Sequence, residues 1–115
     1  MAVEPISVLF VTSDPVLAAV YRLRLELDEY RIRWADPGSV LEQLKGDAPD
    51  LVYVDADSPG VDGNLLGSLR KLPGGTDAPL ILITRRPEVS LRKNLPAWLE
   101  PFFVLSLAHP EGVAV

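Results

Sequence analysis

The chain has 115 residues, of which 48% are hydrophobic and 23% are charged, so it suits one compact domain over residues 1–115 and is not a disordered chain. Its formal net charge of −5 argues against binding to nucleic acid or to an anionic membrane, because both need clustered Lys and Arg. The absence of cysteine excludes disulfides and thiolate metal sites, and no apolar run approaches the roughly 18 residues of a membrane span. The N-terminus lacks the pattern of a signal peptide, so we expect a cytoplasmic domain.

The first half of the chain predicts strand, helix, strand and helix. ISVLFV (6–11) is rich in β-branched residues and predicts a strand that is buried on both faces. Asp14 and Pro15 suit the start of the helix that follows. Charged side chains occupy the outer face of this helix, so the inner face is predicted to be the stripe Val16, Val20, Leu23 and Leu27. RIRWA (31–35) alternates as an edge strand does, and Ser39 can cap a short helix.

The second half continues the alternation. LVYVD (51–55) predicts a buried strand, and NLLGSLRKL (64–72) predicts a helix that Gly67 weakens slightly. PLILIT (79–84) predicts another buried strand. Pro87 and Pro96 bracket one or two short helical turns, and PFFVLSLA (101–108) predicts the last strand.

This alternation predicts an α/β fold with a doubly wound, five-stranded parallel sheet of order 2-1-3-4-5, the flavodoxin-like arrangement. In such sheets the functional crevice lies beyond the carboxyl ends of the strands. The polar residues that follow those ends are Thr12, Ser13, Asp14, Asp55 and Thr84.

Residues 49–63, PDLVYVDADSPGVDG, carry the most specific pattern in the chain. The segment resembles the receiver domain of bacterial two-component response regulators, and VLFVTSDP and APLILIT resemble the first and fourth strands of that family. The resemblance runs from about residue 6 to residue 110. It implies that Asp55 stands at the phospho-acceptor position and that Thr84 stands at the conformational-switch hydroxyl.

The resemblance also implies a Mg²⁺ site, from which this chain departs. Receivers hold Mg²⁺ with an acidic pair after strand 1, the acceptor aspartate and a nearby backbone carbonyl. Here Thr12 and Ser13 replace the acidic pair, with Asp14 one position later. Thr12, Ser13, Asp14 and Asp57 then form a degenerate acidic pocket. We expect no cofactor, with Mg²⁺ weak or absent; any metal that did bind would use Asp14, Asp55 and Asp57.

The cations of the family site have changed as well. The family's lysine after strand 5 is absent, and His109 or Ser106 stands near its place. Residue 85, small in the family, is arginine. Because a buried carboxylate needs a partner, we predict that Arg85, or else Arg86, pairs with Asp55 as the pocket cation. The alternative is that Asp55 only caps the following turn.

Three functions follow as hypotheses. The first is a degenerate, phosphorylation-independent receiver, not an enzyme, that acts as a signalling and protein-interaction module. The second is a phosphorylatable receiver that accepts phosphate on Asp55 from a sensor histidine kinase. An enzyme is disfavoured, because the chain has no GxGxxG, GxxxxGK[ST], GxSxG or HExxH motif; a small anionic ligand near Arg85 and Arg86 remains open.

The expected partner is a protein, either a sensor kinase or an output protein, and we expect a homodimer. The predicted docking face is the side of strands 4 and 5 with Trp98, Phe102 and Phe103. The resemblance implies a last helix that is missing or truncated here, either naturally or because the sequence stops within a longer protein. The apolar face left bare would then be covered by a second copy.

Overall fold

The computed structural model describes residues 5–43, 49–70 and 78–107. Within them, five parallel strands form one sheet of order β2-β1-β3-β4-β5. The strands are β1 (Ser7–Val11), β2 (Arg31–Ala35), β3 (Leu51–Asp55), β4 (Leu80–Thr84) and β5 (Phe103–Ser106). The predicted fold class and strand order are confirmed.

The connections between the strands are helical. They are α1 (Pro15–Leu27), α2 (Val40–Gln43), α3 (Gly63–Arg70), α4 (Glu88–Lys93) and a 3₁₀ turn (Ala97–Leu99). Of the one or two short helical turns predicted between Pro87 and Pro96, one is present as α4, and the 3₁₀ turn follows Pro96. His109 and the C-terminal region in which the last helix was predicted to be missing or truncated lie outside the described residues. The longest described helix, α1, has 13 residues, too few to cross a bilayer.

The two faces of the sheet are covered differently. On one face, alternate side chains of β1, β3 and β4 join the buried leucines of α3, α4 and the 3₁₀ turn in one cluster: Leu9, Val11, Val52, Val54, Leu80 and Leu82 with Leu66, Leu69, Leu91 and Leu99. On the other face, the ring of Phe10 stacks on Tyr21 of α1, with the ring centroids 5.0 Å apart. The ring of Tyr53 lies 6.3 Å from the same Phe10 ring.

The inner face of α1 differs from the prediction. The stripe Val16, Val20, Leu23 and Leu27 is 59–73% exposed, whereas Ala18 and Leu25 are buried. The predicted orientation was therefore wrong. The stacking of Tyr21 on Phe10 sets the helix rotation, and the small side chain of Ala18 lets the backbone approach the sheet.

The predicted docking face also needs one correction. Phe102 is 5% exposed and belongs to the core cluster, so it is not a surface residue. Phe103 and Trp98 are each 63% exposed. The Trp98 ring lies over Gly67, where an added Cβ would be 2.8 Å from the indole, so the glycine makes room for this ring.

Candidate functional site

A cleft of about 200 Å³ opens where β1, β3 and β4 end. Since parallel strands present their carboxyl ends at one edge, this is the crevice that the strand order predicts. Its walls contain Ser13, Asp14, Leu17, Asp55, Asp57, Ser58, Pro59, Ile83, Thr84, Arg85 and Leu107. The structure thus brings together Ser13, Asp14, Asp55, Asp57, Thr84 and Arg85, all predicted site residues, with Thr12 bonded directly to Asp55.

Asp55 is 8% exposed and is held by hydroxyl groups. Its Oδ2 accepts hydrogen bonds from Thr12 Oγ1 at 2.8 Å and from Ser58 Oγ at 2.9 Å. Its Oδ1 accepts one from the backbone N–H of Asp57 at 3.1 Å. Three donors therefore satisfy the carboxylate without a second buried charge.

The two hydroxyls are themselves oriented by backbone donors. Thr12 Oγ1 accepts a hydrogen bond from the N–H of Asp14 at 3.0 Å, and Ser58 Oγ accepts one from the N–H of Ser13 at 3.0 Å. Because each hydroxyl has one proton, accepting from the backbone leaves that proton free to point at Asp55. An ionised carboxylate only accepts, so the arrangement suits the charged form of Asp55.

Asp14 has a local structural use. Its Oδ1 accepts hydrogen bonds from the N–H groups of Val16 at 2.9 Å and Leu17 at 3.3 Å, which caps α1. Pro15 occupies the first helical position, as predicted. The carboxylate nearest to the family's acidic pair therefore already caps the helix.

The Asp57 carboxylate accepts hydrogen bonds from three consecutive residues, of which Thr84 ends β4 and Arg85 and Arg86 follow it. Its Oδ1 accepts hydrogen bonds from Thr84 Oγ1 at 2.8 Å and from Arg86 Nε at 3.2 Å, and its Oδ2 accepts one from the N–H of Arg85 at 2.7 Å. Burial acts to raise the pKa of Asp57. The hydrogen bonds from Arg85 and Thr84 and the positive charge of Arg86 outweigh it, so the pKa lies below the usual aspartate value.

The predicted pairing of Asp55 with an arginine was wrong. Among the described residues, the partners of Asp55 are Thr12, Ser58 and the backbone of Asp57. Arg86 instead forms its ion pair with Asp57, and Arg85 contributes its backbone N–H there while its exposed side chain lines the cleft. Hydroxyl donors stabilise a buried carboxylate without the desolvation cost of burying a guanidinium beside it.

This donor set matches Mg²⁺ poorly. The ion prefers several anionic oxygens in octahedral geometry. Thr12 and Ser13 contribute no charge, and each carboxylate of the cleft already accepts hydrogen bonds. In the part of the chain that the structure describes, no three His, Cys, Asp or Glu side chains are grouped to hold a metal ion.

Sequence reasoning missed two residues of the site. Ser58 is 6% exposed and bonds to Asp55, Thr12 and Ser13. Its position three residues after Asp55, in a tight turn, is a usable signal, because a turn folds such a side chain back onto the residue that starts it. Ser106 was weighed only as a lysine substitute, whereas its hydroxyl donates to the carbonyl oxygen of Arg86 at 2.7 Å.

Comparison with known sequences points to one kind of protein. No protein-family model matches the chain. The transcriptional regulatory protein CseB of Streptomyces coelicolor is 33% identical over 82 residues, covering 70% of this chain and 34% of that protein. CseB of Streptomyces avermitilis is 31% identical over 86 residues, covering 74% of this chain and 36% of that protein. The chain therefore spans about a third of the length of these relatives.

Solved structures agree in fold. The response regulator TrrA of Thermotoga maritima, in complex with Mg²⁺ and BeF, has a TM-score of 0.71 and 25% identity, with 93% of this chain and 89% of that chain covered. The chemotaxis protein CheY4 of Vibrio cholerae has a TM-score of 0.78 and 14% identity, with 93% and 90% covered. The receiver domain of a sensor histidine kinase of Pseudomonas aeruginosa, with magnesium in its active-site cleft, has a TM-score of 0.76 and 20% identity, with 93% and 88% covered.

The sheet order, the segment around Asp55 and these likenesses in sequence and fold agree with one another. The chain belongs to the response-regulator receiver family.

Proposed function

We propose that the chain is an atypical receiver that works in the cytoplasm as a phosphorylation-independent protein-interaction module, without Mg²⁺ and without enzymatic activity. The observation that carries this proposal is that the polar groups of the cleft already bind one another. Asp55 is held by Thr12 and Ser58, and Asp57 is held by Thr84 and by Arg85 and Arg86.

The charge of the cleft supports the same proposal. A phosphoryl donor brings further negative charge towards Asp14, Asp55 and Asp57, which all line the cleft. In phosphoryl transfer, metal ions and cationic side chains neutralise that charge. Here Arg86 already pairs with Asp57, Thr12 and Ser13 are neutral, and the exposed side chain of Arg85 is the one cation among the described lining residues, against the three carboxylates. Attack by Asp55 on a donor would therefore be electrostatically unfavourable.

The direct test is incubation of the protein with acetyl phosphate, or with beryllofluoride, in the presence of Mg²⁺. We expect an unchanged intact mass with acetyl phosphate and unchanged amide resonances around Asp55 with beryllofluoride. Asp55→Asn is the matched control, because an adduct on the wild type that this variant lacks must lie on Asp55. Such an adduct would refute the proposal.

The second candidate is a phosphorylatable receiver that takes phosphate on Asp55 from a sensor histidine kinase. It is favoured by the position of Asp55, which lines the cleft at the end of β3 with Thr84 in the same wall. Both candidates need a protein partner, a kinase or an output protein. The adduct experiment separates them, because only the second requires a covalent product.

We also propose that the chain forms a homodimer through the exposed face of its last strand. Phe103 and Leu105 alternate within β5 and share one face, and Leu107, whose N–H bonds to the carbonyl oxygen of Thr84, continues the alternation directly after the strand. They are 63%, 44% and 45% exposed, which is unusual for three large apolar side chains in a row. A second copy that buried this face would remove the exposed apolar surface from water.

Sedimentation equilibrium tests the dimer. We expect the wild type to approach twice the monomer mass at micromolar concentration, and Phe103→Asp to weaken association by at least about tenfold, since a buried charge without a partner is costly. Val89→Asp is the control, because Val89 is 62% exposed on α4, a helix that covers the opposite face of the sheet. A wild type that stays monomeric, or equal losses in both variants, would rule this surface out.

A further inference from the structure

The Asp57 carboxylate has an unusually complete set of donors for a side chain near the surface. A buried hydroxyl, a backbone N–H and a guanidinium converge on it, at 2.8, 2.7 and 3.2 Å. All three donors come from consecutive residues, Thr84 to Arg86. Such a combination of a main-chain N–H with a cationic side chain is a common way to bind oxyanions.

The Thr84 hydroxyl and the backbone N–H of Arg85 are fixed in place independently of Asp57, whereas the Arg86 guanidinium contacts Asp57 and the carbonyl oxygen of Ala56. Thr84 is 1% exposed, and its Oγ1 accepts a hydrogen bond from the N–H of Arg86 at 3.0 Å, which directs the hydroxyl proton towards the carboxylate. The carbonyl oxygen of Arg86 accepts from Ser106, and that of Thr84 accepts from the N–H of Leu107 at 2.8 Å. These two donors are therefore anchored to β4 and β5.

Asp57 itself comes from a different part of the chain. It lies two residues beyond β3, on the loop that also contains Ser58. Its carboxylate links this loop to the end of β4, and Arg86 adds a longer contact to the loop through the carbonyl oxygen of Ala56, at 3.5 Å. Removing the carboxylate would leave the three donors without their acceptor, at the edge of the cleft that Thr84 and Arg85 line.

We propose that Thr84, Arg85 and Arg86 form an oxyanion site that the chain fills with its own Asp57. The carboxylate is an internal ligand that clamps the loop after β3 to the carboxyl end of β4. An external oxyanion of the size of inorganic phosphate binds there only when this carboxylate is removed or displaced. The inference rests on the proposed function in one respect: that no phosphoryl group on Asp55 occupies this place.

Amide NMR with inorganic phosphate at neutral pH is the test. In Asp57→Ala we expect the amide resonances of Arg85 and Arg86 to shift saturably with phosphate. In the wild type the same titration should be at least about tenfold weaker, since the resident carboxylate must leave first. Adding Arg86→Gln to Asp57→Ala should weaken phosphate binding by about tenfold, because it removes the charged donor.

Hydrogen exchange gives a second reading that needs no added anion. The N–H of Arg85 should be protected in the wild type and should exchange faster in Asp57→Ala, while amides within β1 stay unchanged. If Asp57→Ala does not fold, Asp57→Asn serves, since it keeps the size of the side chain and removes its charge. Absence of a saturable phosphate shift in the folded variant, or equal shifts in variant and wild type, would overturn the proposal.

The two proposals fail in different experiments. A phosphodonor adduct on Asp55 refutes phosphorylation independence, whereas the phosphate titration of the Asp57 variant tests the oxyanion site alone. A wild type that forms an adduct while its Asp57→Ala variant still binds phosphate would keep the site and discard the proposed function.

Discussion

Replacing Leu25 with alanine is expected to lower the free energy of unfolding by about 2–4 kcal/mol, and the same replacement at Leu23 by less than about 0.5 kcal/mol. Leu25 is 8% exposed and lies against the sheet, whereas Leu23 is 64% exposed. Both residues lie within α1 and both become alanine, so the change in helix propensity is the same and cancels in the comparison. Urea denaturation of the two variants and the wild type measures the difference.

The comparison also reports on the exposed stripe of α1. If Leu23→Ala and Leu25→Ala lowered the free energy of unfolding equally, Leu23 would have to be buried in solution. The orientation of α1 described above would then require a partner that covers the stripe containing Leu23. Repeating the denaturation at two protein concentrations decides the matter, because stability that comes from self-association rises with concentration. We expect the loss caused by Leu23→Ala to be the same at both concentrations, since the proposed dimer through the last strand stabilises the wild type and this variant equally.

The orientation of α1 shows what the sequence could not decide. The helix has two apolar stripes at helical spacing: the aliphatic stripe that begins at Val16, and a second one formed by Ala18, Tyr21 and Leu25. The first was predicted to face the core because the charged side chains were assigned to the outer face of the helix. The choice depends on a contact with Phe10, 11 positions before Tyr21, and helical periodicity within α1 carries no information on it.

The strands were predictable because their signal is local. Four of the five predicted strands begin and end within a residue of the observed ones, and the sheet order follows from the alternation of strands with helices. The exception is the last run, predicted over 101–108 and observed as Phe103–Ser106. Pro101 has no N–H to donate to a neighbouring strand, and Phe102 packs into the core before pairing begins.

The residues of the cleft were predictable for a similar reason, but their partners were not. Strand order alone places Asp55 and Thr84 at one edge of the sheet. Which donor reaches which carboxylate depends on loop conformation after β3 and β4. The need of a buried carboxylate for a partner favoured an arginine next to Asp55. Instead, the turn after β3 brings the Ser58 hydroxyl to Asp55, and Arg86 forms its ion pair with Asp57.

Replacing Thr12 with valine is expected to lower the free energy of unfolding by about 1.5–3 kcal/mol, the usual range for a buried hydrogen bond to a charged group. Thr12 is fully buried and valine has nearly the same shape, so packing changes little. The variant removes a donor to Asp55 and the acceptor for the N–H of Asp14. Ser58→Ala should cost a similar amount, because it removes the second donor to the same oxygen.

A double-mutant cycle with Asp55→Asn isolates the interaction with the charge from other losses at Thr12. In the Asp55→Asn background, the loss of unfolding free energy caused by Thr12→Val should be smaller by about 1–2 kcal/mol. A buried amide that lacks one donor is destabilised less than a buried carboxylate that lacks one. The loss of the acceptor for Asp14 is common to both backgrounds and cancels. Denaturant unfolding of the four proteins provides the cycle.

The size of this coupling bears on function as well as on stability. The hydrogen bonds from two hydroxyls to Oδ2 stabilise the negative charge of the Asp55 carboxylate, and they therefore lower the nucleophilicity of both of its oxygens towards a phosphoryl donor. A coupling near zero would mean that Thr12 does not stabilise the charged form of Asp55. That result would favour the phosphorylatable receiver over the phosphorylation-independent one. A coupling of the expected size would instead make the hydroxyl network a barrier to phosphorylation that is separate from the missing acidic pair.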